Sequence, residues 1–149
     1  MTEVIHRRGA ENAEFPQRGL TEKIIGAAIE VHRWLGPGLL ESVYQRALQH
    51  ELALRAIPFA AQLPVPVLYK DVAIEPALRL DLVVAGRVVV EVKSVDLLAE
   101  IHRMQLLTYL RLTKIEAGLL LNFNVTSLRQ GIKRVANSLR PSAPSAPLR

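Results

Sequence analysis

The chain of 149 residues contains no cysteine. That absence removes disulfides, thiolate zinc sites and cysteine nucleophiles from consideration. No apolar run approaches the roughly 18 residues that a membrane-spanning helix needs, so no membrane association is expected. The opening "MTEVIHRRGAENAEFPQRG" lacks the apolar centre of a secretory signal, and the cytoplasm is the expected address. No internal repeat is visible. No G-x-S-x-G occurs, and His6, His32, His50 and His102 have no partners that would make a hydrolase triad. Glu30 and His32 are two apart on a helical stretch and point in different directions, which disfavours a zinc site. Acidic residues are the minority, 14 against 19 lysines and arginines, giving a net charge of +5. A basic balance favours polyanionic partners, chiefly nucleic acid, although charge alone is a modest argument.

What remains is one ordinary globular domain, with half its residues hydrophobic and 22% charged. Residues 1–19 read as a flexible arm, and the end from Pro141, "PSAPSAPLR", as a disordered tail with nothing to bury. Between them, residues 20–140 form the domain. Thr21 is placed to cap a helix whose stripe of Ile24, Ala28, Val31 and Leu35 stops at Gly36. A second helix is expected over 40–55 and a third over 97–112. Prolines around "VPVLYK" (65–70) suggest an edge strand. "AGLLLNFN" (117–124) suits the middle of a sheet covered on both faces. Thr126 could cap a last helix facing inward with Leu128, Ile132, Val135 and Leu139. The order predicts an α/β fold, a mixed sheet with helices packed against it.

The informative stretch is "ALRLDLVVAGRVVVEVKSV" (77–95). A three-residue loop at Ala85, Gly86 and Arg87 would pair Val84 with Val88, Leu82 with Val90 and Leu80 with Val92, an apolar wall on one face. The other face would then hold Asp81 opposite Glu91, with Lys93 beside them. Opposed residues have Cβ atoms about 4.5–5.5 Å apart. Two carboxylates that close repel, and one tends to keep its proton. A hard cation such as Mg²⁺, which takes one or two carboxylates plus water and phosphate, would relieve the conflict. The plainer alternative is an exposed face on which Lys93 bridges two surface acids. A two-residue turn would separate the acids onto opposite faces.

Other residues bear on the choice. Glu41 and Tyr44 share a face of the second helix, and an acid on a packing face invites a partner, although at a helix N-terminus it also complements the macrodipole. His102, Gln105 and Tyr109 lie along one stripe of the third helix, His102 reading as an ordinary surface histidine. Tyr44 and Tyr109 also fit as core residues with wet hydroxyls.

Together these residues match a known pattern. An early glutamate, then Asp81, Glu91-x-Lys93 and Gln105 resemble the PD-(D/E)xK nuclease superfamily. More narrowly, Gly38-Leu39-Leu40-Glu41-Ser42-Val43-Tyr44 reads G-x-x-E-x-x-Y, and the chain is similar to the bacterial GxxExxY proteins from about residue 20 to 138. Leu80 stands where the superfamily name places a proline. The resemblance implies a mostly four-stranded mixed sheet with helices on both sides. It implies metal ligands at Asp81 and Glu91, Lys93 beside the attacking water, Glu41 as a further ligand, and Gln105 as a substrate-positioning residue. Tyr44, Tyr109, Arg103, Arg129 and Lys133 are the candidate substrate contacts, the basic ones (with Arg134) gripping phosphates. The expected activity is Mg²⁺-dependent phosphodiester hydrolysis, with Mn²⁺ as a substitute, on nucleic acid, DNA ahead of RNA. The competing reading is a non-catalytic nucleic-acid-binding or oligomeric assembly protein that keeps the fold, and a homodimer or larger homo-oligomer fits either.

Overall fold

The computed structural model describes residues 15–137. Helix α1 (Arg18–Leu35) and helix α2 (Glu41–Leu54) precede strands β1 (Phe59–Tyr69), β2 (Val72–Val84) and β3 (Val88–Lys93). Helix α3 (Glu100–Thr113), strand β4 (Ala117–Asn122), a 3₁₀ turn (Leu128–Gly131) and strand β5 (Ile132–Ala136) follow. The strands lie in chain order, β1-β2-β3-β4-β5. The β3–β4 pair is parallel, with α3 as its crossover, and the other pairs are antiparallel. Among the described residues no helix is long and apolar enough to cross a membrane.

Helices cover both faces of this α/β fold. On one, Ile24, Ala28 and Val31 of α1 and Leu48 and Leu52 of α2 pack on Val88, Val90, Val92, Leu119 and Leu121. On the other, Leu106 and Leu110 of α3 pack on Val89, Leu120 and Val135. Strand β4 sits between β3 and β5 and is buried at every residue, so its uniformly apolar sequence has a use on both faces. Gly118 makes room for α3: a Cβ there would lie 3.1 Å from the Leu106 side chain.

Helix α1 stops as expected at Gly36, whose left-handed backbone lets its N–H bond to His32 O at 2.8 Å. Its start differs from expectation. It begins at Arg18 with no side-chain cap, and the Thr21 hydroxyl turns back to Arg18 O at 2.9 Å. Phe15 and Leu20 pack against the core, while residues 1–14 and the tail from Pro141 lie outside the described residues. Leu35, expected in the buried stripe, is exposed. Helix α3 starts at Glu100, three residues later than the apolar pattern from Leu97 suggests, because His102 Nδ1 accepts the Ala99 N–H at 3.0 Å and fixes the turn there.

Among the described residues the expected last helix is absent, and its Leu139 lies outside them. Leu128 to Gly131 make a single 3₁₀ turn, and β5 pairs with β4 from Leu121↔Ile132 to Ala117↔Ala136, so the sheet has five strands rather than four. The cause is tertiary. A buried β4 needs a ladder on both edges to satisfy its N–H and C=O groups, and the segment after Gly131 supplies it. Gly131 makes the approach feasible, since a Cβ there would sit 2.1 Å from Asn122 O.

The β2–β3 turn has positive φ at both Ala85 and Gly86, and Val84↔Val88 and Leu82↔Val90 pair as expected. The apolar wall ends earlier than expected. Leu80 joins the α3 face with its partner Leu63 instead of continuing the row of Leu82 and Val84. Between those pairs Gln62 takes a positive φ of 52°, and the side-chain alternation shifts at that point.

Candidate active site

The regular β2–β3 ladder stops at Leu82↔Val90. One step further the carboxylates take over the backbone donors. Val92 N–H donates to Asp81 Oδ2 at 2.9 Å, and Asp81 N–H donates to Glu91 Oε2 at 3.3 Å. Each acid thus anchors itself to the opposite strand through one oxygen, leaving Asp81 Oδ1 and Glu91 Oε1 without a backbone donor. Strand geometry puts both, with Lys93, on the face covered by α3, because Val89 and Leu120, the latter the register partner of Glu91, lie on that face.

Burial governs the electrostatics. Glu91 is only 7% exposed. Its carboxyl is pushed up to about 8, first by burial and then by the charge of Asp81, with Lys93 only partly opposing. Asp81 is also raised, again by burial first; the Val92 N–H, a hydrogen bond from Glu91 and the Lys93 charge oppose this, and Glu41 adds to it. Each carboxyl is thus raised within the influence of the other, Glu91 the more strongly. The pattern is that of two like charges that cannot both ionise in a dry site.

Glu41 reaches the same place from the other layer. Gly38, at φ +98°, turns the chain into α2, and the Glu41 carboxylate accepts the Ser94 N–H at 3.3 Å, next to Lys93. Ser94 Oγ donates to Leu39 O at 2.7 Å, tying the same loop to the end of β3. Glu41 therefore stands beside the pair, yet among the described residues no three acidic or histidine side chains converge as a ready three-ligand cage.

Tyr44 is corrected from substrate contact to scaffold. It is fully buried and stacks on Phe123 with ring centroids 4.6 Å apart. Its hydroxyl donates to Gly36 O and accepts the Leu39 N–H at 3.1 Å. The G-x-x-E-x-x-Y spacing thus has a local logic: Gly38 makes the turn, Tyr44 clasps it, and Glu41 is held toward Ser94. Tyr109 lies within the field of the carboxylates. It is half-buried on α3, and its phenol is raised by burial and then by the charges of Glu91 and Asp81. Gln105 lies one turn earlier on the same side of α3, exposed to solvent.

The basic candidates divide. Arg103 is bound by Glu100, with Nε at 3.1–3.2 Å from both carboxylate oxygens, and Lys133 sends its charge to the same Glu100. These two form a separate cluster at the start of α3, not part of the carboxylate pair. Arg129 is exposed in the 3₁₀ turn and Arg134 on β5.

One residue escaped the sequence reading. Asn122, buried at the end of β4, accepts the Val95 N–H at 3.0 Å and donates to Val95 O at 2.9 Å. Together with the Phe123 N–H on Lys93 O at 2.9 Å, it fixes the chain leaving Lys93 and so the lysine itself. Its signal was visible as a single polar residue inside "AGLLLNF".

Searches among curated proteins and solved structures give no match. A family model described as the PD-(D/E)XK nuclease superfamily matches residues 18–135. That span contains all three helices, every strand except the last residue of β5, and the paired carboxylates. Fold, motif order and match agree, and the chain belongs to the PD-(D/E)XK nuclease superfamily.

Proposed function

We propose that the chain is a GxxExxY-type nuclease of that superfamily, a divalent-cation-dependent phosphodiesterase acting on nucleic acid, with DNA as the first substrate to test. The observation that carries this reading is the Asp81–Glu91 pair, a buried and a half-buried carboxylate brought together at a cost, with Lys93 beside them. A purely structural role gives no reason to hold the two acids together there.

The donor set suits Mg²⁺, with Mn²⁺ as a substitute: two hard oxygen ligands on rigid strands, and Glu41 near enough to act through water. When bound, such an ion would polarise the phosphate and lower the pKa of a water. The chain's own part is positional. Asp81 and Glu91, deprotonated to solvent, would each present the oxygen that no backbone N–H engages. Lys93 orients the attacking water and offsets charge building on the phosphate. Tyr109, with its phenol protonated, can donate to a phosphate oxygen, and Gln105 on the same side of α3 can position the strand.

The test uses purified wild type, Asp81→Ala and Lys93→Ala on single- and double-stranded DNA and RNA, with Mg²⁺ or Mn²⁺ and with chelator. Cleavage that needs the cation and is lost in both variants, with folding retained, supports the reading. Cutting by either variant would overturn it. Calorimetry with Mn²⁺ on wild type and Asp81→Ala tests the cation without assuming a substrate.

A homo-oligomer is favoured by a separate observation. Ile101 and Met104 are exposed on the side of α3 turned away from Leu106 and Leu110, and Leu97 is exposed just before the helix. Light scattering tests it, and a monomer at all concentrations would refute it.

A further inference from the structure

A second polar cleft lies across the Gly36–Leu39 loop from Glu41. It has a volume of about 430 Å³ and runs between the end of α1 and the segment entering the 3₁₀ turn. His32, Arg33, Pro37, Ser127 and Arg129 are among its walls. Resting on the nuclease reading above, we propose that this cleft is a phosphate-binding site that holds the backbone of the bound strand at a phosphate other than the one being cut.

The cleft is built rather than accidental. His32 is 8% exposed, and its Nε2 lies 2.8 Å from Val125 O. A carbonyl only accepts, so the ring is the donor, and it pins the start of the segment that carries Ser127 and Arg129. Gly131 pins the far end through its close approach to Asn122 O. A segment fixed at both ends presents its side chains without first having to be ordered, which favours binding.

The chemistry is that of an anion site. Two arginines, Arg33 and Arg129, and Ser127 are among the residues of one cleft, and forked guanidinium donors match phosphate oxygens. Arg33 has an internal carboxylate, Glu30, but at 3.4 Å and exposed to solvent. Such a contact contributes little and is readily exchanged. Among the described residues Arg129 makes no ion pair, whereas Arg103 is bound to Glu100.

Position relates the cleft to the paired acids. Gly36 and Pro37 form its wall, while Leu39 and Glu41, from the same loop, bind Ser94 on the other side. Phe123, bonded to Lys93 O, stacks on the Tyr44 ring that clasps this loop. A strand crossing the loop would meet the acids on one side and the guanidinium pair on the other.

The chain supplies its own reporter. Trp34 is the sole tryptophan, and its Nε1–H donates at 2.9 Å to Glu30, the carboxylate that Arg33 also contacts. An anion drawing Arg33 away changes the surroundings of that indole. The experiment titrates inorganic phosphate and then a DNA oligonucleotide into the full chain in chelator, reading Trp34 fluorescence. Wild type, Asp81→Ala, Arg129→Ala and, as a charge control on the β2–β3 turn, Arg87→Ala are compared. Saturable oligonucleotide binding is expected in wild type and Asp81→Ala alike, about tenfold weaker in Arg129→Ala, and within about twofold of wild type in Arg87→Ala. Equal weakening in the two arginine variants would make the effect diffuse charge and overturn the site. So would inorganic phosphate binding with no oligonucleotide binding, which would assign the cleft to a small phosphate instead of a strand. Specific oligonucleotide binding in a chain that never cuts would support the cleft and count against the catalytic reading alone.

Discussion

The two faces of β3 are made from alternate residues of one hexapeptide, and they meet opposite demands. Val88, Val90 and Val92 face α1 and α2 in a dry layer where burial costs nothing. Val89, Glu91 and Lys93 face the α3 side, where the same burial lifts Glu91 to about 8 and raises Asp81. The first face stabilises the fold through area removed from water. The second spends part of that stability holding charge where water would hold it better. The comparison teaches that the strand's rigidity comes from its valines and its chemistry from the residues between them.

The comparison breaks most visibly in activity. Asp81→Ala should lower cleavage by about a thousandfold or more, roughly 4 kcal/mol in the barrier, while thermal unfolding moves little. Kinetics and calorimetry on the same preparation check it, and a large Tm loss would place Asp81 with the structural face. On the other face Leu121→Ala should cost about 2–5 kcal/mol in denaturant unfolding, because Leu121 is fully buried and leaves a cavity.

Glu91→Gln sharpens the contrast through pH. Without a cation, folded Glu91 holds its proton up to about pH 8 against an ordinary value of 4.5. The folded chain therefore binds more protons between those limits. The stability this carboxyl contributes is fully present below pH 4.5 and is lost as pH rises through 8. Glu91→Gln should flatten that loss and be a few kcal/mol more stable than wild type at pH 9, yet inactive. Parallel unfolding curves for the two proteins across pH 5–9 would refute it. Mn²⁺ should raise the wild-type Tm more at pH 8 than at pH 6, because binding must expel the Glu91 proton, and should leave Asp81→Ala unmoved.

The smallest effect belongs to the loop. Tyr44→Phe removes the hydroxyl that satisfies Leu39 N–H and binds Gly36 O, and should cost about 1–3 kcal/mol in stability. Its activity loss should exceed what that destabilisation explains, since Glu41 loses its support. A variant as active as wild type would detach Tyr44 from the site.

Much of this site was legible because it depends on short-range register. Gly86 fixes the turn, the turn fixes Val84 opposite Val88, and alternation carries Asp81 to Glu91. What stayed hidden depends on distant backbone. Leu128, Ile132 and Val135 carry helical spacing, but Gly131 and the unsatisfied edge of β4 leave Leu128 in a 3₁₀ turn and draw Ile132 and Val135 into a strand. Leu80 changed faces where its neighbour strand carries Gln62 in a left-handed conformation, which no local pattern announces. Tyr44 shares a helix face with Glu41, as its spacing implied, yet its hydroxyl serves a loop whose course the spacing does not reveal.

The chain-order sheet leaves two outer strands, β1 and β5. In β1, Pro64 and Pro66 remove two donors and a bulge interrupts the register between Val65 and Val67. In β5, five residues include the exposed Lys133 and Arg134. Prolines, a bulge and paired cations are the devices that keep sheet edges from accepting a foreign strand. A sheet with a strand as apolar as β4 one step from its edge is thereby guarded against edge-to-edge aggregation.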